Sequence, residues 1–277
     1  MNWLSTAEPN SISAVITDPP YGLVEYNAEQ QRKLRAGRGG VWRLPPSFDG
    51  AKRRALPRFT VLSSVDRAAI TNYFKHFGDL LLPVLRPGAH VLIAGNPLVS
   101  HLVAFAMEEA GYEKRGEIIR LVSTFRGGDR PKGAEGEFHD VSTMPRSRFE
   151  PWGLYRKRPD MPTVAKNLRR WGTGALRRMS AATPAVDVVE SGITPDRERD
   201  IAPHPSVKPQ GFLRQMVYMM LPLDKGVVLD PFAGSGTTLA ACEAMGATGV
   251  GIEVDAEYFK LGVKALPKLS ALKIGGR

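Results

Sequence analysis

The sequence predicts an α/β fold in which a mostly parallel sheet carries helices on both faces. Two observations favour this fold class. Short β-branched runs alternate with segments of helical apolar spacing near both ends of the chain, and two predicted strands run directly into turns that stop them. With 277 residues, 43% of them hydrophobic, the chain can bury one large core of this kind.

The first part of the chain alternates predicted strands and helices. The prolines after Asp18 stop the first strand, because proline cannot donate the hydrogen bond that a central strand needs. Asp66 and Asn96 are of the residue types that cap helices, and Gly111 is of the type that follows a helix end. In chain order the predicted elements are a strand at 14–17, a helix from 66 to 85 closed by 86–88, a strand at 89–94, a helix after Asn96 and an extended segment at 112–122.

The last part of the chain predicts a βαβα unit, preceded by a helix that opens at Pro209. Such a unit within one sheet implies parallel strands and a right-handed crossover. Its elements are a strand at 227–229, a helix at 237–245 closed by Gly246, a strand at 248–252 and a helix capped by Asp255. Residues 126–200 show no sustained period, so they are predicted to be an insertion between the two halves of one domain, 1–125 and 201–277.

The net charge of +10 favours a polyanionic partner. The positive charge is concentrated: residues 30–60 contain nine lysines and arginines against one acidic residue, and residues 142–180 contain ten against two. A solvated basic surface without a partner is the alternative. The segregation of the charge favours nucleic acid.

The remaining composition argues against several other classes. Cys242 is the single cysteine, so no intrachain disulfide can form. The five histidines have no cysteine partners at metal-ligand spacing, and no metal site is predicted. Because no apolar run reaches the ~18 residues of a membrane span, we expect no membrane partner, and a cytoplasmic location fits best.

A glycine-rich turn at 230–238, Asp-Pro-Phe-Ala-Gly-Ser-Gly-Thr-Thr, lies between a predicted strand and helix. Such a turn lets a nucleotide-like ligand approach the backbone, and Glu253 ends the next strand, where an acidic residue can accept hydrogen bonds from ribose hydroxyls. Thr237 stands where a Walker loop needs lysine, and Leu239 where a dinucleotide fingerprint needs glycine or alanine. These residues disfavour both classes, and a purely structural helix-start turn remains an alternative.

A second strand-end motif, Asp18-Pro19-Pro20-Tyr21, suits methylation of an exocyclic base amine. Such an amine is a poor nucleophile because its lone pair is delocalised into the ring, so a catalyst must accept its hydrogens. Asp18 would supply a carboxylate, and Pro19 a carbonyl fixed by Pro20. Tyr21 would offer a ring on which a flipped base can stack. Attack on a sulfonium methyl needs no nucleophilic cysteine, whereas carbon-5 cytosine methylation does, and Cys242 lies inside a predicted helix.

With these motifs the chain resembles the amino-methyltransferases of bacterial restriction-modification systems, in the permuted class whose catalytic motif precedes the cofactor motif. Residues 18–21 match its Asp-Pro-Pro-Tyr and residues 230–236 its Asp-Pro-Phe-x-Gly-Ser-Gly. Residues 204–209 resemble the element ahead of the cofactor turn, and residues 251–255 the ribose-binding strand. The resemblance implies a Rossmann-like S-adenosylmethionine-dependent methyltransferase fold with circularly permuted motif order.

The resemblance also implies S-adenosylmethionine as cofactor and double-stranded DNA as substrate. It places Ser206 and Lys208 near the methionine end of the cofactor and Glu253 on the ribose. The other expected cofactor contacts are Asp230, Phe232, Gly234, Ser235, Gly236 and Thr237. A homodimer and a companion restriction endonuclease are further partners that the resemblance allows.

The two basic segments are the expected DNA-binding surface. The first is predicted to form a loop over the flipped base at 22–60, and the second is the target-recognition candidate, in which Trp152, Tyr155 and Trp171 could wedge or stack. The arginines expected to contact DNA are Arg53, Arg54, Arg146, Arg148, Arg156, Arg158, Arg169, Arg170, Arg177 and Arg178.

Adenine N6 is favoured as the target, with cytosine N4 as the alternative. The preference rests on Asp rather than Ser at the first position of the catalytic motif, although the family uses Asp with both bases. Two other classes stay open: an amino-methyltransferase of RNA or protein, and a non-catalytic DNA-binding module.

Overall fold

The structure is a computed structural model that describes residues 2–20, 62–126, 131, 133–143, 145, 147–204 and 206–274. Its helices are α1 Asn2–Thr6, α2 Ser64–Leu81, α3 Ser100–Glu109, α4 Val164–Trp171, α5 Asp196–Ile201, α6 Gln210–Met220, α7 Thr237–Ala244 and α8 Ala256–Ser270. Its strands are β1 Ile12–Thr17, β2 Leu85–Ala94, β3 Glu113–Arg126, β4 Ser147–Arg156, β5 Val188–Glu190, β6 Val227–Asp230 and β7 Thr248–Gly251.

The strands form a seven-stranded sheet in the order β5-β3-β4-β2-β1-β6-β7. All pairs are parallel except the two that β4 makes with β2 and β3. Strand β1 pairs with β2 on one side and β6 on the other, so Asp18 and Asp230 emerge at the same edge of the sheet. We call this the carboxyl edge.

Apolar side chains cover both faces of the sheet, which confirms the predicted fold class. On one face Phe74 and Phe77 of α2 pack with Val15 of β1. On the other face α6 and α7 cover a second set of buried residues that includes Ile16 of β1 and Cys242 of α7. Alternate residues of one strand therefore serve opposite cores, as the period of two requires.

Helix α2 begins earlier in the chain than the sequence suggests. Ser63, not Asp66, is the capping residue: its hydroxyl accepts a hydrogen bond from the Asp66 amide, and the Asp66 carboxylate accepts one from the Ser63 amide. This is a capping box, in which an acidic third residue supports the cap. The helix also ends earlier, at Leu81, because residues 85–88 already belong to β2.

The expected cap at Asn96 is also displaced. Helix α3 begins at Ser100, and Asn96 instead closes the turn before it. The Asn96 side chain accepts a hydrogen bond from the Leu98 amide, and its carbonyl accepts from Val99 and Ser100. Gly111 does follow the helix end, with φ +91.

The segment 126–200 is not entirely outside the sheet, contrary to its prediction as an insertion without regular period. Its strand β4 lies between β2 and β3, and Trp152 and Tyr155 are each only 1% exposed. Burying these rings contributes to the core, so neither is available to wedge or stack in DNA. Within the described ranges no helix is long and apolar enough to cross a membrane.

Candidate active site

An open cavity lies at the carboxyl edge, where β1 and β6 end side by side. It brings the proline-proline motif and the glycine-rich turn to one site. Its lining consists of Asp18, Trp152, His204, Ser206, Lys208, Asp230, Phe232, Ala233, Gly234, Ser235, Thr237 and Thr238. Strand ends of this kind are where ligands bind in open α/β sheets.

The glycine-rich turn needs its glycines. Gly234 and Gly236 have φ of +52 and +76, in the left-handed region that other residues rarely adopt. A Cβ at Gly234 would lie 3.2 Å from the His204 ring, and Gly236 packs against the backbone of Gly262 in α8. Three glycines therefore let the turn, the 204–209 segment and α8 come together.

Glu253 braces the same turn from the neighbouring strand end. One carboxylate oxygen accepts a hydrogen bond from the Gly234 amide at 2.7 Å, and the other accepts from the Asp255 amide at 2.8 Å. Asp255 in turn caps α8, as the sequence predicts. The carboxylate thus lies beside the glycine turn and next to the backbone that a ribose would approach.

Asp230 is buried and ties β6 to β1. Its carboxylate accepts a hydrogen bond from the Thr17 hydroxyl at 2.7 Å and another from the Phe232 amide at 3.1 Å. Burial raises the pKa of Asp230 to about 6, and the nearby charge of Asp18 acts in the same direction. Within the cavity wall this residue therefore holds the two strand ends together.

Cys242 lies behind Asp230 and is completely buried. Burial raises the pKa of its thiol to about 12, so it stays a neutral thiol at physiological pH. Its position inside α7 confirms the expectation that it is a core residue.

Asp18 follows the last residue of β1, and the side chain is 14% exposed. Its carboxylate forms an ion pair with the ammonium group of Lys208. Pro19 is buried and Pro20 is exposed. Tyr21, the fourth residue of the motif, lies outside the described residues.

His204 and Trp152 belong to the cavity wall, but His204 was not predicted as a site residue and Trp152 was predicted only as a ring that could contact DNA. His204 accepts a hydrogen bond from the Ser206 amide at 3.1 Å and packs edge-on against Tyr258 with ring centroids 4.3 Å apart. The His-Pro-Ser run at 204–206 was the signal for His204. No comparable signal marks Trp152, since only the pairing of β4 with β2 brings it level with Asp18.

A buried ion pair holds Trp152 in place. Its indole donates to Glu150 at 2.8 Å, and Glu150 pairs with Arg120 of β3 at 3.4 Å. The Trp152 ring packs against Phe212 of α6, over which the Arg120 guanidinium also lies. Both charged side chains are almost fully buried, so removing either one would leave the charge of the other buried without its ion-pair partner.

Most of the described arginines predicted to bind DNA lie at the opposite edge of the sheet from Asp18. Trp152 pairs with Ala94 at the carboxyl edge, whereas Arg156 pairs with His90, four residues or roughly 13 Å away along the strand. Helix α4, with Arg169 and Arg170, is attached still further away, where Asn167 donates a hydrogen bond to the Pro87 carbonyl.

Several of these arginines also have structural partners. Arg156 binds Glu113 at 2.6 Å, and Arg177 forms an ion pair with Asp224. The cluster at 156–178, which contains Arg156, Arg158, Arg169, Arg170, Arg177 and Arg178, is therefore misplaced for reading a base held at Asp18. Arg148 is exposed at the start of β4 and does lie at the carboxyl edge. Arg53, Arg54 and Arg146 lie outside the described residues.

Comparison with known proteins gives a consistent result. A model of the DNA methylase family matches residues 12–264. The chain is 23% identical over 267 residues to the type II methyltransferase M2.DpnII of Streptococcus pneumoniae, covering 95% of this chain and 85% of that protein. It is 44% identical over 64 residues, 23% of this chain and 21% of that protein, to the DNA adenine methyltransferase YhdJ of Escherichia coli K12.

The fold is similar to that of a putative DNA modification methylase, TTHA0409 from Thermus thermophilus, solved in complex with S-adenosyl-L-methionine. The TM-score is 0.59 at 16% identity, and the match covers 98% of this chain and 91% of the other.

Replacing Asp230 by asparagine should change how folding stability depends on pH. Because the folded-state pKa of Asp230 is raised from 3.8 to about 6, the folded protein binds this proton more tightly than the unfolded chain does. The resulting stabilisation is present at low pH and is lost as pH rises from about 4 to about 6. Asparagine cannot ionise, so Asp230→Asn should gain roughly 2 kcal/mol relative to wild type between pH 4 and pH 7.

Urea unfolding at several pH values measures this difference, with Asp79→Asn on the surface of α2 as the control. A difference between Asp230→Asn and wild type that does not change with pH would contradict the prediction.

Proposed function

This chain belongs to the DNA methylase family, and we propose that it uses S-adenosylmethionine, as the complex of the similar fold does, to methylate N6 of adenine in duplex DNA. The observation that carries the proposal is that Asp18 and the glycine-rich turn open into one cavity from adjacent parallel strands. A base amine held at Asp18 and a cofactor held at the turn would then meet at a single edge of the sheet.

The residues present fit the cofactor. Gly234 and Gly236 give the tight left-handed turn at which a ligand can approach the backbone, and Phe232 lines the same cavity. Glu253 offers carboxylate oxygens beside this turn for the ribose hydroxyls. Ser206, Ser235 and Thr237 supply further polar groups around the cavity, and Asp230 fixes the shape of the turn. When bound, the cofactor supplies an electrophilic methyl group on sulfur.

Asp18 and Pro19 serve the amine side of the reaction. The Asp18 carboxylate accepts a hydrogen of the amine and the Pro19 carbonyl is the second acceptor, which returns electron density to the nitrogen. One proton must leave the amine as the new nitrogen–carbon bond forms, and Asp18 can take it. Pro20 keeps the Pro19 carbonyl fixed. Tyr21 is proposed to stack on the base, while the buried Trp152 indole is part of the cavity wall.

The choice of adenine rests on two observations. The motif begins with Asp18, and a 64-residue stretch is similar to an adenine methyltransferase. Cytosine N4 is the second candidate, since the same acceptors suit either amine.

DNA is proposed to approach the carboxyl edge. Arg148 lies there, and Arg53, Arg54, Arg146 and the 22–60 segment are proposed to complete that surface. We also propose that the protein acts in the cytoplasm. A companion restriction endonuclease is proposed as well, because M2.DpnII is named a type II methyltransferase. A homodimer stays a prediction.

Methylation mapping tests the proposed reaction. Plasmid DNA from a methylase-free bacterial host that expresses this chain should carry N6-methyladenine in one sequence motif. The mark should be absent with Asp18→Ala and retained with Asp79→Ala, which removes a surface carboxylate. N4-methylcytosine in the motif would correct the base, and unmodified DNA would contradict the proposal.

Alanine at Gly234 should weaken cofactor binding specifically. Gly234→Ala forces a left-handed φ on alanine and places its Cβ against His204, so the dissociation constant for S-adenosylmethionine should rise about tenfold or more. Gly246→Ala is the matched control: its φ is +70, but no atom lies within 4 Å of the new Cβ. Both variants should lose about 1 kcal/mol of stability, and calorimetric titration should show normal affinity only for Gly246→Ala.

The arginines at the two edges of the sheet should differ in DNA binding. Arg148→Gln should weaken duplex binding and reduce the slope of log affinity against log salt by about one. The double variant Arg169→Gln, Arg170→Gln should leave both quantities at their wild-type values. Fluorescence anisotropy across a salt series measures them, and a reversed pattern would move the DNA to the far edge of the sheet.

A further inference from the structure

Lys208 binds the carboxylate that the proposed reaction needs. Its ammonium group forms an ion pair with Asp18, and the two side chains are only 9% and 14% exposed. The sequence placed Lys208 near the methionine end of the cofactor, with no link to Asp18. Lys208 is also the only lysine or arginine among the described residues that line the cavity.

The cavity contains two carboxylates at neighbouring strand ends. Asp18 and Asp230 follow neighbouring strands, and the charge of Asp18 contributes to the raised pKa of Asp230. The other titratable group of the described wall, His204, uses Nδ1 to accept from the Ser206 amide. Lys208 places a positive charge beside this pair, and without such a charge two nearby carboxylates in a partly enclosed space favour protonation of one of them.

The backbone around Lys208 is firmly attached on both sides. The Val207 carbonyl accepts a hydrogen bond from the Thr194 hydroxyl at 2.6 Å. The Gln210 amide donates to Glu198 at 2.8 Å, and the Gln210 side chain donates to the Thr237 carbonyl of α7 at 2.8 Å. Hydrogen bonds at Val207 and Gln210 therefore hold the backbone on either side of Lys208.

We propose that Lys208 is a positioning residue for Asp18, which keeps this carboxylate ionised and directed into the cavity until the amine of the target base replaces the ammonium group. The proposal rests on the proposed function, because it assigns Asp18 the role of amine acceptor. Ammonium and amine hydrogens compete for the same carboxylate. Entry of the base must therefore displace or share the Lys208 contact, while the cofactor can bind with that contact intact.

The test replaces Lys208 with methionine, which keeps much of the side chain and removes the charge. With Lys208→Met, the dissociation constant for S-adenosylmethionine should stay within about threefold of wild type, while kcat falls about tenfold or more. The acid limb of the kcat profile should move about one pH unit upward, because Asp18 without its cation protonates more readily. Lys208→Arg should restore most of kcat, and Lys260→Met, on the surface of α8, is the matched control.

A second readout does not depend on activity. In ¹³C NMR titrations of the full-length protein, the carboxyl signal that Asp18→Asn removes should titrate at higher pH in Lys208→Met than in wild type. A variant that fails to fold would be replaced by Lys208→Gln, with unfolding temperature as the check.

Two results would overturn the proposal. A large rise in the S-adenosylmethionine dissociation constant, with kcat at saturation and the Asp18 titration unchanged, would assign Lys208 to the cofactor. Wild-type values throughout would make the ion pair irrelevant to the reaction. Failure of the proposed function can be distinguished from failure of this proposal. If the proposed function is wrong, wild-type protein leaves DNA unmethylated, while Lys208→Met can still shift the Asp18 signal.

Discussion

The parallel pairing of β1 with β6 is the constraint on which the rest of the site depends. It brings the proline-proline motif and the glycine-rich turn, more than 200 residues apart in sequence, to the same edge of the sheet. The hydrogen bond from the Thr17 hydroxyl to Asp230 joins the two strand ends directly. A shift of one residue in this pairing would turn Asp18 toward the opposite face, because side chains alternate along a strand.

Charge is the second constraint on this edge. Two carboxylates share one cavity, and the Lys208 ammonium group, which pairs with Asp18, is the one ammonium or guanidinium group of the described wall. A carboxylate that is held ionised suits acceptance of amine hydrogens. The buried neutral thiol of Cys242 suits no nucleophilic role. The electrostatics therefore agree with direct transfer to an exocyclic amine more than with covalent catalysis.

The sequence predicted those parts of the site that depend on local backbone chemistry. Prolines after Asp18 and glycines in the 230–236 turn restrict the chain wherever they occur, so their positions at strand ends could be inferred without tertiary contacts. Strand β4 was not predicted because Glu150 and Pro151 interrupt its apolar pattern. The burial of Glu150 depends on its ion pair with Arg120 of the neighbouring strand, which the local sequence does not show. Ser63 was missed because Asp66, its partner in the capping box, is itself a good capping residue.

The edge of the sheet at which each basic residue lies could not be predicted from the sequence. Net charge identifies a polyanion partner, but it does not say at which edge of a sheet a charged residue will lie. Because β4 runs antiparallel to β2, its ten residues carry the chain from the carboxyl edge near Arg148 to the far edge at Arg156. A flipped base enters the site at the strand ends that line the cavity. The arginines that contact the phosphates on either side of that base must therefore come from the carboxyl edge. Topology, rather than the local density of arginine, therefore decides which part of the basic sequence can face the target.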